Sequence, residues 1–389
     1  MKLKLLFYSL LLSAFLGFSQ ELQLSESAQI SVLTIGSGDN LNDAFGHNAF
    51  RIKDPSLALD VTYGYGGYDF DTPNFYLKFA QGKLEYLITR HSFSEFYRTY
   101  VYFNRSIKEQ VLNLTQAQKQ TLYNALVENY KPENRGYLYD FFFDNCATRI
   151  RDVVQSATNN SVTFNIPEDV GEKTFRDLIY EHVGKNSWGS FGIDLCLGSV
   201  IDRKATPDEY MFLPSYIHEF FEGATLSNGE RLVSENRVLY SAEENKYSEG
   251  FIVSPLIVIG LISLLILWVT YRNYQKQKRS KWLDIAIFSI TGLIGIFLLL
   301  LWFATDHSGT AQNYNLLWAF PLNLILLAPL IKTQSKPWVR RYLKFLVISL
   351  VLLTFHWMMG IQVYALTLIP LLLAIAIRYI YLISFLKKA

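Results

Sequence analysis

Apolar residues are concentrated in the last third of the 389-residue chain, where four long segments carry few charged side chains. Three of them, Phe251–Thr270, Leu283–Phe303 and Leu316–Ile331, can each span a bilayer as a helix. The fourth, Leu343–Phe385, has 43 residues. As one helix it would reach about twice the hydrocarbon thickness, at about 1.5 Å per residue. It is therefore predicted to fold back around Met359–Gln362, which makes five transmembrane helices.

The loops between these segments predict their orientation in the membrane. Tyr271–Trp282 and the connector after Ile331 are rich in Lys and Arg and contain no acid, and the chain ends in Lys387 and Lys388. Because Lys and Arg are retained on the cytoplasmic side, these three segments are expected to be cytoplasmic. The loop Ala304–Asn313 has neither Lys nor Arg and is expected on the opposite side. The net charge of +2 comes from these connectors, so it does not indicate nucleic-acid binding.

The first residues have the pattern of a signal peptide. Lys2 and Lys4 precede the apolar run Leu5–Phe18, and Ser19 follows as a small residue. The run is too short for a comfortable membrane span, so cleavage near Ser19 is expected. We therefore predict three parts: a signal peptide (1–19), an exported domain (20–250) and a membrane domain (251–389).

The exported domain mixes strand and helix patterns, which predicts the α+β class. Thr115 followed by Gln118 is a capping-box pattern and begins a helix that reaches Tyr130. Further along, Asp144 or Asn145 is a natural N-cap for a helix over Ala147–Ala157. Alternation of apolar and polar residues predicts strands at Ile30–Ile35, His47–Lys53, Leu59–Tyr65, Glu85–His91 and Ser106–Leu112, and a further helix is predicted at Phe75–Phe79.

The chain has two cysteines, Cys146 and Cys196, and both are expected in an oxidising compartment. One interpretation is a disulfide between them. The other is that Cys146 is a nucleophile, because the positive end of a helix dipole favours the thiolate and lowers the pKa. His47 would then be the base, since it begins a strand that could pack beside the Cys146 helix. Cys196 has no such surroundings and is expected in the core.

Several stretches of the chain resemble a known family of membrane proteins. In the exported domain they are Asp43–Arg51, Tyr63–Phe70 and Phe143–Asp152, which hold the Gly-His and Asp-Asn-Cys motifs. In the membrane half they are Thr305–His307 and Asn313–Trp318. Nearly the whole chain thereby resembles the Lnb-type lipoprotein N-acyltransferases of Bacteroidetes.

This resemblance implies a papain-like, NlpC-related thiol domain in permuted order, with the histidine strand before the cysteine helix. Cys146 and His47 match the family's nucleophile and base. The implied reaction moves a fatty acyl chain from a membrane phospholipid, through a Cys146 thioester, to the α-amine of a diacylglyceryl-cysteine lipoprotein. The implied location is the bacterial inner membrane, with several spans and the catalytic domain in the periplasm.

Other polar residues are candidates for supporting roles. A residue that orients the imidazole of His47 is expected among Asp60, Tyr63 and Asp144. Substrate contacts are expected from residues near the thiol and from polar residues at the headgroup layer. These candidates are Asn145, Arg149, Asp306, His307, Asn313 and Asn315.

Two other functions stay open from the sequence. The same Cys146 and His47 could serve a membrane-tethered cysteine peptidase or peptidoglycan amidase, and a disulfide-linked chain could be a binding module without catalysis. A peptidase needs only one membrane anchor, so five helices favour a lipid substrate. The exported domain has no His-x-x-x-His and no paired-cysteine spacing, so no metal or cofactor is predicted.

Overall fold

An α+β domain and a following helical domain make up the chain, which confirms the predicted fold class. The computed structural model describes residues 22–167, 170–243, 253–331 and 337–388. The predicted signal peptide (1–19) and the predicted domain boundary at residue 250 lie outside the described residues.

A seven-stranded antiparallel sheet forms the centre of the N-terminal domain. The strands are β1 (Gln29–Ile35), β2 (His47–Asp54), β3 (Leu59–Gly67), β4 (Glu85–Ser92), β5 (Ile107–Leu112), β6 (Gly136–Leu138) and β7 (Val233–Tyr240). They lie in the order β6-β4-β3-β2-β1-β5-β7. All five predicted strands are confirmed. The edge strands β6 and β7 were missed because most of their residues are exposed, which leaves no apolar alternation to recognise.

Helices cover both faces of this sheet. In chain order they are α1 (Phe75–Ala80), α2 (Phe93–Tyr102), α3 (Gln116–Tyr130), α4 (Cys146–Ala157), α5 (Phe175–Tyr180), α6 (Trp188–Cys196), α7 (Pro207–Tyr210) and α8 (Pro214–Gly223). The capping box predicted at Thr115 is present at the start of α3. Thr115 accepts a hydrogen bond from the backbone of Gln118, and the Gln118 side chain bonds the backbone of Thr115 in return.

The two faces of β2 point toward different helices, because successive side chains on a strand alternate. Phe50 belongs to the large core that includes Ile150 and Val154 of α4. Ala49 belongs to a smaller cluster with Phe96 of α2. His47 therefore lies on the α2 side of the sheet, at the end of β2 where α4 begins.

Helices of the C-terminal domain contain most residues of the predicted apolar segments. They are α9 (Pro255–Lys276), α10 (Lys281–Phe303), α11 (Leu327–Ile331), α12 (Pro337–Met358) and α13 (Ile369–Lys388). Among the described residues, three helices, corresponding to α9, α10 and α13, are long and apolar enough to cross a membrane. Segments 308–317 and 321–331, bent by 42°, could form a fourth span. The fold-back predicted near Met359–Gln362 is confirmed, since α12 ends at Met358 and Gly360 adopts a positive φ.

The third apolar segment is not the continuous helix that its pattern predicts. It consists of short 3-10 turns, Tyr314–Leu317 and Pro321–Leu326, that lead into α11. Pro321 cannot donate a backbone hydrogen bond, which interrupts the helix. The buried Asn323 side chain instead bonds Thr291 and Tyr342 across the bundle. Polar contacts with neighbouring helices therefore replace regular helical bonding here.

Buried hydrogen bonds fasten the two domains together. The Asn313 amide donates to the carbonyls of Leu195 and Cys196, and the Asn315 amide donates to that of Asp194. The Gly198 N–H donates to the carbonyl of Gly309 at 2.9 Å. The loop after α10 thus lies against the N-terminal domain, as expected for two parts on the same side of a membrane.

A buried ion-pair cluster supports this junction. Arg176 is fully buried and pairs with Asp194 at 2.8 Å and with Asp202 at 2.7 Å. The Asp202 carboxylate also accepts a hydrogen bond from the backbone of Val363, between α12 and α13. Since each of these charges is paired, the cluster joins α5 and α6 to the membrane domain without an isolated buried charge.

Candidate active site

Cys146 is the first residue of α4, and Asn145 holds it there. The Asn145 side-chain oxygen accepts hydrogen bonds from the backbone of Ala147 at 2.8 Å and of Thr148 at 3.0 Å. Its amide nitrogen donates to the carbonyls of Phe141 and Phe212. Asn145 is therefore the N-cap, rather than Asp144. Its side chain is buried and its polar atoms are engaged in these bonds, and its contact with substrate stays a prediction.

Three backbone N–H groups surround the Cys146 sulfur. They belong to Asn48, Cys146 itself and Ala147. The Asn48 N–H is part of the peptide bond that follows His47, so the sulfur lies beside the residue predicted to be its base. Gly66 also lies close to the thiol, because a Cβ at this glycine would lie 3.8 Å from the Cβ of Cys146. Its φ of +97° also favours glycine.

The His47 ring occupies space that Gly64 leaves open on β3. A Cβ at Gly64 would lie 3.1 Å from His47 Nε2. The ring stacks near Tyr100 of α2, with centroids 6.4 Å apart. It lines a cavity of about 180 Å³ together with Thr62, Thr89 and His91. None of the hydrogen bonds among the described residues joins His47 to the Cys146 sulfur, although such catalytic bonds often tighten only when substrate binds.

Burial determines the charge state of both groups. It raises the pKa of the Cys146 thiol, and it outweighs the three N–H donors and the nearby Arg105, which act in the opposite direction. Burial, helped by the positive charge of Arg105, lowers the pKa of His47 from 6.5 to about 4. The N–H groups at the helix start thus act to lower the thiol pKa, as predicted, but burial prevails and the pKa is raised rather than lowered. Near pH 7 the site holds a neutral thiol and a neutral imidazole.

None of the three predicted orienting residues contacts His47. Asp60 binds Arg51 through two hydrogen bonds, of 2.8 and 2.7 Å, and pairs in register with Lys53. That register puts it about 20 Å along the strand from His47, at about 3.3 Å per residue. Tyr63 pairs with Phe50 and points into the opposite core, where burial raises its pKa to about 12.

Asp144, the third candidate, binds Arg149 instead of His47. The two side chains form hydrogen bonds of 2.6 and 2.8 Å. Arg149 also lies over the Tyr137 ring, 3.8 Å from its centroid. Its charge is therefore already paired, and Arg149 fits a role in holding the loop before α4 better than the substrate contact predicted for it.

The outer-loop candidates lie at the domain junction rather than at the thiol. Asn313 and Asn315 are buried and donate the hydrogen bonds to α6 described above, and their contact with substrate stays a prediction. His307 Nε2 lies 3.1 Å from the carbonyl oxygen of Phe79 in α1. Asp306 donates its backbone N–H to Gln81, and its side chain is exposed.

Several neighbours of His47 and the thiol were missed by reasoning from the sequence. Gly64 and Thr62 could have been found, because the pairing of β2 with β3 puts them on the His47 face. Tyr100 and Arg105 carry no such local signal, since they come from α2 and the loop after it. Arg105 donates to the carbonyl of Gly36 at 2.9 Å, and this bond holds its charge near the site.

The two cysteines do not pair. Cys146 and Cys196 are both free thiols, so the structure does not contain the disulfide considered as the alternative. Burial raises the pKa of Cys196 to about 11. Within the part of the chain that the structure describes, no three His, Cys, Asp or Glu side chains are grouped to hold a metal ion.

Comparison with known families gives two matches. Residues 18–178 match the model of the Lnb N-terminal periplasmic domain, and residues 246–389 match that of the Lnb transmembrane domain. Together the matches cover more than three quarters of the chain. His47 and Cys146 both lie within the first match. No curated protein and no solved structure matched the chain.

Proposed function

The chain belongs to the Lnb family, and from this premise we propose that it is a lipoprotein N-acyltransferase of the bacterial inner membrane. It would move a fatty acyl chain from a phospholipid to the α-amine of a diacylglyceryl-cysteine lipoprotein. The main support for the proposal is the position of the Cys146 sulfur. It lies near three backbone N–H groups and beside His47, in a domain that is hydrogen-bonded to the membrane domain.

The first half-reaction forms a thioester. The neutral imidazole of His47 takes the thiol proton while the Cys146 sulfur attacks the carbonyl carbon of the phospholipid ester. The backbone N–H groups around the sulfur can donate to the oxyanion that develops. The carbon–oxygen bond then breaks, and protonated His47 gives its proton to the departing lysophospholipid.

The second half-reaction forms the amide. The lipoprotein α-amine attacks the thioester carbonyl, and His47 accepts a proton from the nitrogen. The carbon–sulfur bond breaks, and the sulfur regains its proton from His47. Burial lowers the pKa of His47 to about 4, so its imidazole is unprotonated near pH 7 and can accept a proton, while the same lowering makes it a weaker base than a free imidazole.

The membrane domain supports a lipid donor over a soluble one. The N-terminal domain is joined to the outer loop by buried side-chain amides and by the Gly198–Gly309 backbone bond. This junction holds the thiol domain close to the ends of the membrane helices, where phospholipid esters and lipoprotein anchors both lie.

Mass spectrometry of lipoprotein N-termini tests the proposal. The full chain is expressed in bacteria whose own N-acylation is conditional, beside the variants Cys146→Ser, His47→Gln and Cys196→Ser. The wild-type chain and Cys196→Ser should restore N-acylated termini, while Cys146→Ser and His47→Gln should not. Free N-termini in cells with the wild-type chain would overturn the proposal.

The same cells distinguish the peptidase or amidase alternative. A transferase should leave a hydroxylamine-sensitive acyl group on Cys146, visible by mass spectrometry when the acceptor lipoprotein is depleted. Cleaved peptides or peptidoglycan fragments that depend on Cys146, without any acyl group on the thiol, would assign the chain to hydrolysis instead.

A further inference from the structure

An exposed cluster of aromatic and apolar side chains surrounds α1. The exposed fractions are 65% for Phe70, 78% for Tyr76, 57% for Leu77 and 53% for Phe79. None of the six residues of α1 is buried, so the helix does not contribute to the core of the domain. Exposed apolar patches of this kind mark interaction surfaces. We call these residues, together with Tyr68 and Phe75, the aromatic patch.

The aromatic patch lies close to the end of a membrane helix. α10 ends at Phe303, whose ring stacks on Trp302 with centroids 4.8 Å apart. Only three residues later, the Asp306 N–H donates to the carbonyl of Gln81, directly after α1. Three residues span at most about 11 Å. Stacked aromatic rings at a helix end are typical of the membrane interface, so α1 lies at the level of that interface.

Close backbone contact makes this attachment firm. Gly82, which follows α1, has a φ of +70°, and a Cβ there would lie 3.1 Å from the backbone nitrogen of His307. The carbonyls of Phe79 and Ala80 lie 3.1 and 3.2 Å from His307 Nε2. α1 is therefore held at the outer end of α10.

A path of aromatic rings joins the patch to the thiol. Tyr68 packs against Tyr86 with centroids 5.7 Å apart, and Tyr86 stacks on Tyr139 at 4.4 Å. Gly66 brings the end of this path to the sulfur, since a Cβ there would lie 3.9 Å from the Tyr139 ring and 3.8 Å from Cys146 Cβ. Packed aromatic rings thus connect the aromatic patch to the site.

We propose that the aromatic patch inserts into the periplasmic leaflet of the bilayer, contacts phospholipid acyl chains there and directs one of them toward Cys146. Insertion follows from the continuity of the patch with α10 and from its composition, because Tyr and Phe side chains favour the bilayer interface. The guidance of an acyl chain to Cys146 rests on the proposed function, whereas insertion does not.

Fluorescence quenching in vesicles tests insertion. The full chain is reconstituted in phosphatidylethanolamine and phosphatidylglycerol vesicles whose acyl chains carry bromine. Tyr76→Trp adds one tryptophan to the seven of the wild-type chain, whose signal is subtracted. Tyr130→Trp is the matched control, because Tyr130 is 37% exposed beside the Glu128–Lys131 ion pair.

The added fluorescence of Tyr76→Trp should fall by at least half in brominated vesicles, and that of Tyr130→Trp should change little. Equal quenching in the two variants would overturn insertion. An absence of quenching in Tyr76→Trp would also overturn insertion. Crosslinking of the reconstituted chain would then show whether the patch pairs with a second copy instead.

A second measurement tests the guidance of the acyl chain. Leu77→Asp should lower formation of the Cys146 acyl-enzyme from vesicle lipid about tenfold, with unchanged reaction toward a soluble short-chain thioester. Val127→Asp, at a 37% exposed position on α3, should leave both rates unchanged. Equal loss in both variants, or none in Leu77→Asp, would overturn guidance. If the wild-type chain forms no acyl-enzyme, the proposed function fails, and the quenching result still decides insertion.

Discussion

Opposing effects on one sulfur atom decide the chemistry at the residue scale. Three backbone N–H groups and Arg105 favour the Cys146 thiolate, while burial favours the neutral thiol and prevails. His47 experiences burial and a positive neighbour in the same direction, and both favour its neutral form. Cys146 is therefore expected to transfer its proton to His47 as the sulfur attacks, rather than to react as a preformed thiolate.

The raised pKa of Cys146 predicts how its alkylation depends on pH. Only the thiolate reacts, so the rate constant with iodoacetamide should rise about tenfold per pH unit from pH 6 to 9 without a plateau. The measurement uses Cys196→Ser, in which Cys146 is the remaining thiol. A plateau below pH 8 would show that the N–H donors prevail over burial.

The close approach of Gly64 to His47 predicts the effect of a larger residue at this position. In Gly64→Ala the new Cβ would press on His47 Nε2 from 3.1 Å, so the ring must move by a few tenths of an ångström or more. Acyl transfer should fall between about ten- and a hundredfold, because small misplacements of a catalytic group are costly. The melting temperature should change little. Gly192→Ala, whose Cβ would meet no atom within 4 Å, should retain activity.

Capping of α4 controls the site at the scale of elements. Asn145 satisfies two N–H groups at the helix start and also bonds the carbonyls of Phe141 and Phe212. One side chain thus fixes the first turn of α4, the loop before it and the loop before α8. The position of Cys146 relative to β2 follows from these four bonds.

Removal of this cap should destabilise the N-terminal domain. Asn145→Ala loses the cap, worth about 1 kcal/mol, and leaves buried carbonyls without donors, at about 1–3 kcal/mol more. Asn145→Ser keeps a cap oxygen and should be intermediate. Thermal unfolding of the purified full chain checks the order, wild type above Ser above Ala. Equal melting temperatures for the Ala variant and the wild type would contradict this role.

The junction between the domains matters at the scale of the whole molecule. It is built from small and polar residues: Gly198 lies against the loop after α10, and Asn313 and Asn315 bond the last turn of α6. Because these contacts are buried and directional, they fix the position of the N-terminal domain, and with it Cys146, relative to the membrane domain. The same loop also holds α1.

Gly198→Ala should separate the two domains. Its Cβ would lie 1.9 Å from the carbonyl oxygen of Ala311, which requires the junction to open. The backbone there, at φ −87°, suits alanine, so the effect is purely steric. Acyl transfer from vesicle lipid should fall more than tenfold, while alkylation of Cys146 by a soluble reagent continues. Gly184→Ala, which has open space, is the control, and equal activity of the two variants would contradict the role of the junction.

Local signals explain what could be predicted. Five strands, α1, α3 and α4 were found because period-two alternation, capping residues and aromatic spacing lie within a few residues of each other. The apolar segments were found for the same reason. Pro321 was the available signal that the third segment would break, and its run of apolar neighbours concealed it.

The amino-acid sequence by itself determined the order of the domains, the strand of His47, the helix of Cys146 and the apolar membrane segments, because each depends on neighbours along the chain. The tertiary structure alone decided the pKa of the thiol, the partners of Asp60 and Asp144, and the structural use of Asn313 and Asn315. These depend on burial and on contacts between distant residues: Asn48, whose backbone N–H favours the Cys146 thiolate, is almost a hundred residues away in sequence. The repeating pattern of apolar and polar residues does not predict such contacts, because they exist only once the chain is folded.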